Sequence, residues 1–169
     1  MHGFKRLSRV LSGGLLVGMT ALAQAQPVTD TFQVQITIEG TCTVLTTTDI
    51  NFGTQTPTGA TTYDQTGAIA VQCTNGLDFQ VGLDGGTTTG TVTGRAMLGP
   101  STMQIPYTLS PISFGGSNWG NSSPSWFTGT GMGLGASYEI AVPVYARATL
   151  QGNEVAGTYR DTVTATLSF

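Results

Sequence analysis

Past residue 25 the sequence has no histidine and no lysine: His2 and Lys5, the only ones in the chain, both stand in the first five residues. Those absences exclude most catalytic schemes. Ser–His and Cys–His nucleophile pairs, lysine Schiff bases and histidine metal sites all lack their parts. Positive charge is equally scarce. After residue 25 only Arg95, Arg147 and Arg160 remain against nine acids, a balance of −6. That excludes nucleic acid, which is bound by cations replacing counterions on phosphate, and an anionic membrane surface. No apolar run is long enough to cross a bilayer as a helix. Charged residues are only 9% of the chain and glycines number 24, a composition that would hint at disorder. The aliphatic and aromatic residues are nevertheless regularly alternated, which points to β-rich structure.

What is present begins with a targeting signal. Lys5, Arg6 and Arg9 form a positive n-region, Val10 to Leu22 is apolar, and Ala23-Gln24-Ala25 has the small-x-small form of a signal peptidase site. Residues 1–25 are thus predicted to be a signal peptide, leaving Gln26 to Phe169, a length suited to one domain with a real core. In an exported protein the pair Cys42 and Cys73 reads as a disulfide. Closing a loop of about thirty residues should disfavour the unfolded chain by roughly 3–4 kcal/mol.

Strand patterns follow one another at short intervals. Phe32, Val34, Ile36 and Ile38 share one face of the segment Thr29–Ile38, with Thr31, Gln33, Gln35 and Thr37 opposite. By pattern alone this is the first strand of the chain's own sandwich. Its place ahead of the first cysteine would equally let it leave and complete a neighbour. Short strands are predicted at Cys42–Leu45, resuming at Asp49–Gly53, then at 68–73, around Leu77 to Leu83, near 95–98, over 103–109 and from Tyr138 to Arg147. Gln55 to Thr66 reads as loop. Asn75-Gly76 predicts a tight hairpin turn, because both residues tolerate positive φ. Pro143 should sit at a bulge or a sheet edge. The strictest alternation closes the chain: Tyr159, Asp161, Val163, Ala165, Leu167 and Phe169 against threonines and Ser168. With no helical period outside the signal, the fold class is all-β, an immunoglobulin-like β-sandwich.

Chemistry is thinly represented. The acids are scattered at turns and polar strand faces and read as solvated groups, although a carboxylate pair could in principle hydrolyse glycosides. Gly129 to Gly135 is glycine-rich, but a phosphate-cradling loop requires a following helix, and a β-pattern follows here. Asn121-Ser122-Ser123 fits a glycosylation sequon, a triplet common by chance. Within the Gly/Ser/Asn-rich stretch 110–137, expected to be partly irregular, Trp119 and Trp126 suit packing onto the sandwich and could also stack on sugars. No metal and no cofactor is expected.

The C-terminal half carries a family likeness. Trp119-Gly120, Val144-Tyr145-Ala146-Arg147 and Gly157-Thr158-Tyr159-Arg160-Asp161-Thr162-Val163 resemble the spore coat protein U domain family, which includes subunits of archaic chaperone–usher pili. Upstream, Gly40-Thr41-Cys42-Thr43-Val44, Asn51-Phe52-Gly53, Val71-Gln72-Cys73, Arg95-Ala96-Met97 and Pro106-Tyr107-Thr108-Leu109 fit the same pattern in order. The resemblance implies a non-enzymatic structural subunit whose sandwich lacks its last strand. It implies a donor-strand extension over 26–40 and a domain over 41–169. Phe32, Val34, Ile36 and Ile38 would be the donor residues. Tyr159, Val163, Ala165, Leu167 and Phe169 would line the acceptor groove along the C-terminal strand. The implied partners are a periplasmic pilus chaperone, an outer-membrane usher and neighbouring pilus subunits, with export through the periplasm to the cell surface as a fimbrium and a role in adhesion and biofilm formation. The alternative reading is a secreted coat protein or adhesin module that acts without polymerising.

Overall fold

The computed structural model describes residues 26–169, so the expected signal peptide lies outside the described residues. The chain divides into two units, Met1–Thr37 and Ile38–Phe169. In the first, residues 26–37 form no strand and are exposed throughout.

The second unit is a two-sheet sandwich. Its strands are β1 (Cys42–Thr47), β2 (Thr61–Cys73), β3 (Asp78–Leu83), β4 (Ala96–Leu98), β5 (Gln104–Ser110), β6 (Phe127–Thr130), β7 (Ile140–Leu150) and β8 (Ala165–Ser168). One sheet has the order β1-β2-β7-β5-β4 and the other β6-β3-β8, with every pairing antiparallel. Alternation explains which faces meet. Val142, Val144, Ala146, Ala148 and Leu150 of β7 are buried, and Phe79, Val81 and Leu83 of β3 pack in the same core. Among the described residues the helical content is a single turn, Gly86–Thr89, and three 3₁₀ turns, too short to impose a period on the sequence.

Several elements differ from the sequence reading. Asn75-Gly76 is a tight turn, with Leu77 N–H donating to the Thr74 carbonyl at 3.0 Å and Gly76 at φ +78°. It is not a hairpin. Both edges of β2 are taken, by β1 and β7, so the chain crosses to the other sheet and β3 pairs with β6 and β8. Thr61–Thr66, read as loop, is the first half of β2, because β7 continues to Leu150 and templates it. There Asp64 and Arg147 lie directly opposite one another and form a two-pronged ion pair at 2.7 and 2.8 Å. Asp49–Gly53 is not a strand. β6 sits inside the stretch expected to be partly irregular and covers an edge of β3. Pro143 is opposite Ala68 of β2, upstream of the point where β5 joins β7 at Tyr145, so no second neighbour needs its missing N–H.

The disulfide joins Cys42 to Cys73, which face each other across β1 and β2. Replacing both by serine should lower the unfolding free energy by about 3 kcal/mol, read as a reduced urea midpoint with an unchanged native circular dichroism spectrum. An unchanged midpoint would show that the bridge constrains nothing in the unfolded chain.

Candidate functional site

Between the two sheets, on the side where β1 and β8 are edge strands, the sandwich is open. A cleft of about 950 Å³ runs there, its walls formed by residues 47–52 and 158–165. Its floor is core. Ile69, Leu83, Tyr107, Leu109, Val144 and Ala146 come from β2, β3, β5 and β7. These six side chains are themselves buried, between 0% and 8% exposed.

The C-terminal wall is an extended segment held from one side only. Burial alternates residue by residue: 159, 161, 163, 165 and 167 are half-buried, and 160, 162, 164, 166 and 168 are exposed. Arg160 exchanges two main-chain hydrogen bonds with Leu98, at 2.9 and 3.0 Å. The Thr162 carbonyl accepts from Thr87 N–H, and the Thr164 carbonyl from Asp84 N–H, each at 3.0 Å. In an extended chain, neighbouring residues present their N–H and C=O groups to opposite sides. The intervening Tyr159, Asp161 and Val163 make no main-chain hydrogen bond among the described residues.

Side chains secure this wall where ladder bonds are few. The Asp161 carboxylate accepts from Tyr107 Oη at 2.6 Å, Thr87 Oγ1 at 2.9 Å, and Thr88 N–H and Oγ1 at 3.0 Å each. Asp84 Oδ1 accepts from Thr164 N–H at 2.9 Å and Gly86 N–H at 3.0 Å. Burial raises the pKa of Asp161, but the hydrogen bonds from Tyr107, Thr87 and Thr88 outweigh it and hold the carboxyl below the usual aspartate value. The same balance holds for Asp84, through its backbone donors Thr164 and Gly86. Burial, then the Asp161 carboxylate, push the Tyr107 hydroxyl far upward, so it remains a proton donor.

Deeper in the core, Arg95 and Trp119 find main-chain partners, although Arg95 Nη1 and Asn118 Oδ1 are buried without one. Arg95 is 1% exposed and donates to the carbonyls of Leu83, Asp84 and Trp119. Trp119 is fully buried, and its indole N–H donates to the Val81 carbonyl at 2.7 Å. Trp119 is therefore unable to stack on a sugar, which removes half of the aromatic pair that suggested a carbohydrate surface.

Of the groove residues expected from the sequence, Tyr159, Val163 and Ala165 line the cleft. Leu167 is opposite Val81 in the β8–β3 ladder, and Phe169 is 61% exposed; neither lines it. The donor residues are exposed: Phe32 88%, Val34 87%, Ile36 84% and Ile38 77%. Sequence reasoning missed the roles of Asp161, Thr87 and Thr88. The signal for Asp161 was its parity, a carboxylate on the otherwise apolar face of the last strand. No cluster of three or more metal-ligating side chains occurs among the described residues.

The family model of the Spore Coat Protein U domain matches residues 28–166. The chain belongs to the Spore Coat Protein U domain family. No curated protein matches it. Among solved structures it is similar to one of the chaperone–tip adhesion subunit pre-assembly complex CsuC–CsuE, from the archaic chaperone–usher Csu pili of Acinetobacter baumannii. That match has 24% identity and a TM-score of 0.52 over 79% of this chain. This chain spans 40% of the length of the matched one, and the likeness is one of fold.

The two lowered carboxyls set a pH dependence. A carboxyl whose pKa is lower in the folded state adds stability that is complete above the unfolded value of about 3.9 and lost as pH falls through the folded value. Asp161→Asn should therefore reduce the melting temperature at pH 7, and the gap to the parent should close as the pH is taken below about 4. A gap independent of pH would show that the Asp161 charge is not what the four donors hold.

Proposed function

We propose that this chain is a structural subunit of a chaperone–usher pilus that polymerises by donor-strand exchange. The observation that carries this reading is the cleft: an apolar floor bordered by a strand whose main chain is unpaired on the cleft side. A β-strand with apolar side chains at every second position is the ligand such a site fits, because main-chain hydrogen bonds supply affinity and alternate side chains supply register. Residues 26–40 offer that ligand in an exposed form, without proline between Phe32 and Ile38.

In the proposed fibre, Phe32, Val34, Ile36 and Ile38 of one copy fill the cleft of the next. Burying four such side chains contributes roughly 6–12 kcal/mol before ordering costs. A free edge beside an apolar cleft is an aggregation hazard, so a periplasmic chaperone would occupy it first and an outer-membrane usher would mediate the exchange. The product is a fimbrium at the cell surface, serving adhesion and biofilm formation. The likeness in fold to a chain of the Csu chaperone–subunit pre-assembly complex supports this assignment, and no step in it calls for catalysis.

Deletion of residues 26–40 tests it. The shortened chain should still be captured by the chaperone, read as a co-eluting complex from periplasmic extracts. Fibres should be absent by electron microscopy. Fibres from the shortened chain, or failure of its monomer to fold, would refute donor-strand exchange.

A further inference from the structure

We propose that Asp161 is the positioning residue of the cleft: its anchorage to Tyr107, Thr87 and Thr88 sets the wall strand in place, with the main chain of Tyr159, Asp161 and Val163 turned to the cleft, before any partner strand arrives. This rests on the donor-strand reading and adds to it the group that makes the acceptor ready.

The need follows from how little else holds the segment. Upstream of β8 the only strand that the wall pairs with among the described residues is the three-residue β4, through the Leu98–Arg160 bridge, and its other main-chain bonds run to Asp84 and Thr87. An edge so weakly laddered would ordinarily fray, and an incoming strand would have to order it as well as bind it, which weakens association. Asp161 replaces the ladder. Its carboxylate takes four hydrogen bonds from two places, the Tyr107 hydroxyl of β5 and the Gly86–Thr89 turn. The turn in turn grips the wall's main chain, since Thr87 N–H donates to the Thr162 carbonyl.

The local backbone is built around that carboxylate. Gly86 has φ +76°, and a Cβ there would lie 2.1 Å from Asp161 Oδ2, so only glycine lets the turn come this close. Bonding parity then does the rest. With Arg160, Thr162 and Thr164 tied to the domain, the alternate residues must face the other way.

The test uses the processed full-length chain and a labelled synthetic peptide of residues 28–40, followed by residue-resolved amide exchange and by binding kinetics. In the parent chain without peptide, the amides of Arg160 and Thr164 should be protected and those of Asp161 and Val163 exchange fast. Peptide binding should protect the latter two. A parent chain that neither binds the peptide nor gains this protection overturns the donor-strand reading itself.

Asp161→Asn should erase the alternating protection and slow peptide association about tenfold, the scale of a lost charge-assisted hydrogen bond, while Val71 and Val142 stay protected. Peptide binding to Asp161→Asn at the parent rate overturns the positioning role and leaves the donor-strand reading standing. If Asp161→Asn also loses core protection, Tyr107→Phe decides. Slower association with an intact core supports the role, and parent-like association overturns it.

Discussion

Main-chain pairing at one edge governs this molecule. A strand with one free edge presents N–H and C=O groups that need partners, and an apolar floor beside it needs apolar side chains to pack against. Here both requirements fall in one cleft, between residues 47–52 and 158–165. The rest of the domain is arranged to hold that edge open without collapse. The five-stranded sheet supplies a rigid floor through the long β2–β7 ladder, the disulfide ties β1 to β2, and the three-stranded sheet presents β8.

Polar groups inside the fold follow the same accounting. Burying a guanidinium is unfavourable unless its donors are met; through Nε and Nη2 Arg95 meets carbonyls at the end of β3 and at Trp119 that no neighbouring strand serves, while Nη1 has no partner. Trp119 returns the favour to β3 through Val81, while Gly120 accepts from Leu83 N–H. One arginine and one tryptophan thus do for the short sheet what an additional strand would do. Asp161 and Asp84 do the corresponding work along the cleft wall.

The sequence made the class of fold plain, because period-two alternation is a local signal and survives in nearly every strand. Leu77 to Leu83 and most of Tyr138 to Arg147 were legible for that reason. What escaped was non-local. Thr61–Thr66 has no apolar alternation and becomes strand only because β7 lies beside it. Asn75-Gly76 announces a turn, but whether the strands on either side pair depends on which edges others have taken. A cleft beside the C-terminal strand was expected only through the family resemblance, since open space leaves no residues to read. Asp161 was visible in part: its parity set it among inward residues, yet its four donors come from positions more than fifty residues upstream.

The scarcity of cations has a consequence at the cleft. Between residues 26 and 169 a trypsin-like protease finds three arginines to cut after. Arg95 is sealed in the core, and Arg147 lies inside β7, laddered on both sides and clamped by Asp64. Arg160 alone is exposed, in the extended segment upstream of β8, where its single bridge is to Leu98. On the donor-strand reading proposed above, a vacant subunit offers digestion its wall strand and little else, whereas an occupied one hides that bond within a completed sheet. Selective nicking after Arg160 would cull unfilled subunits and spare the assembled ones.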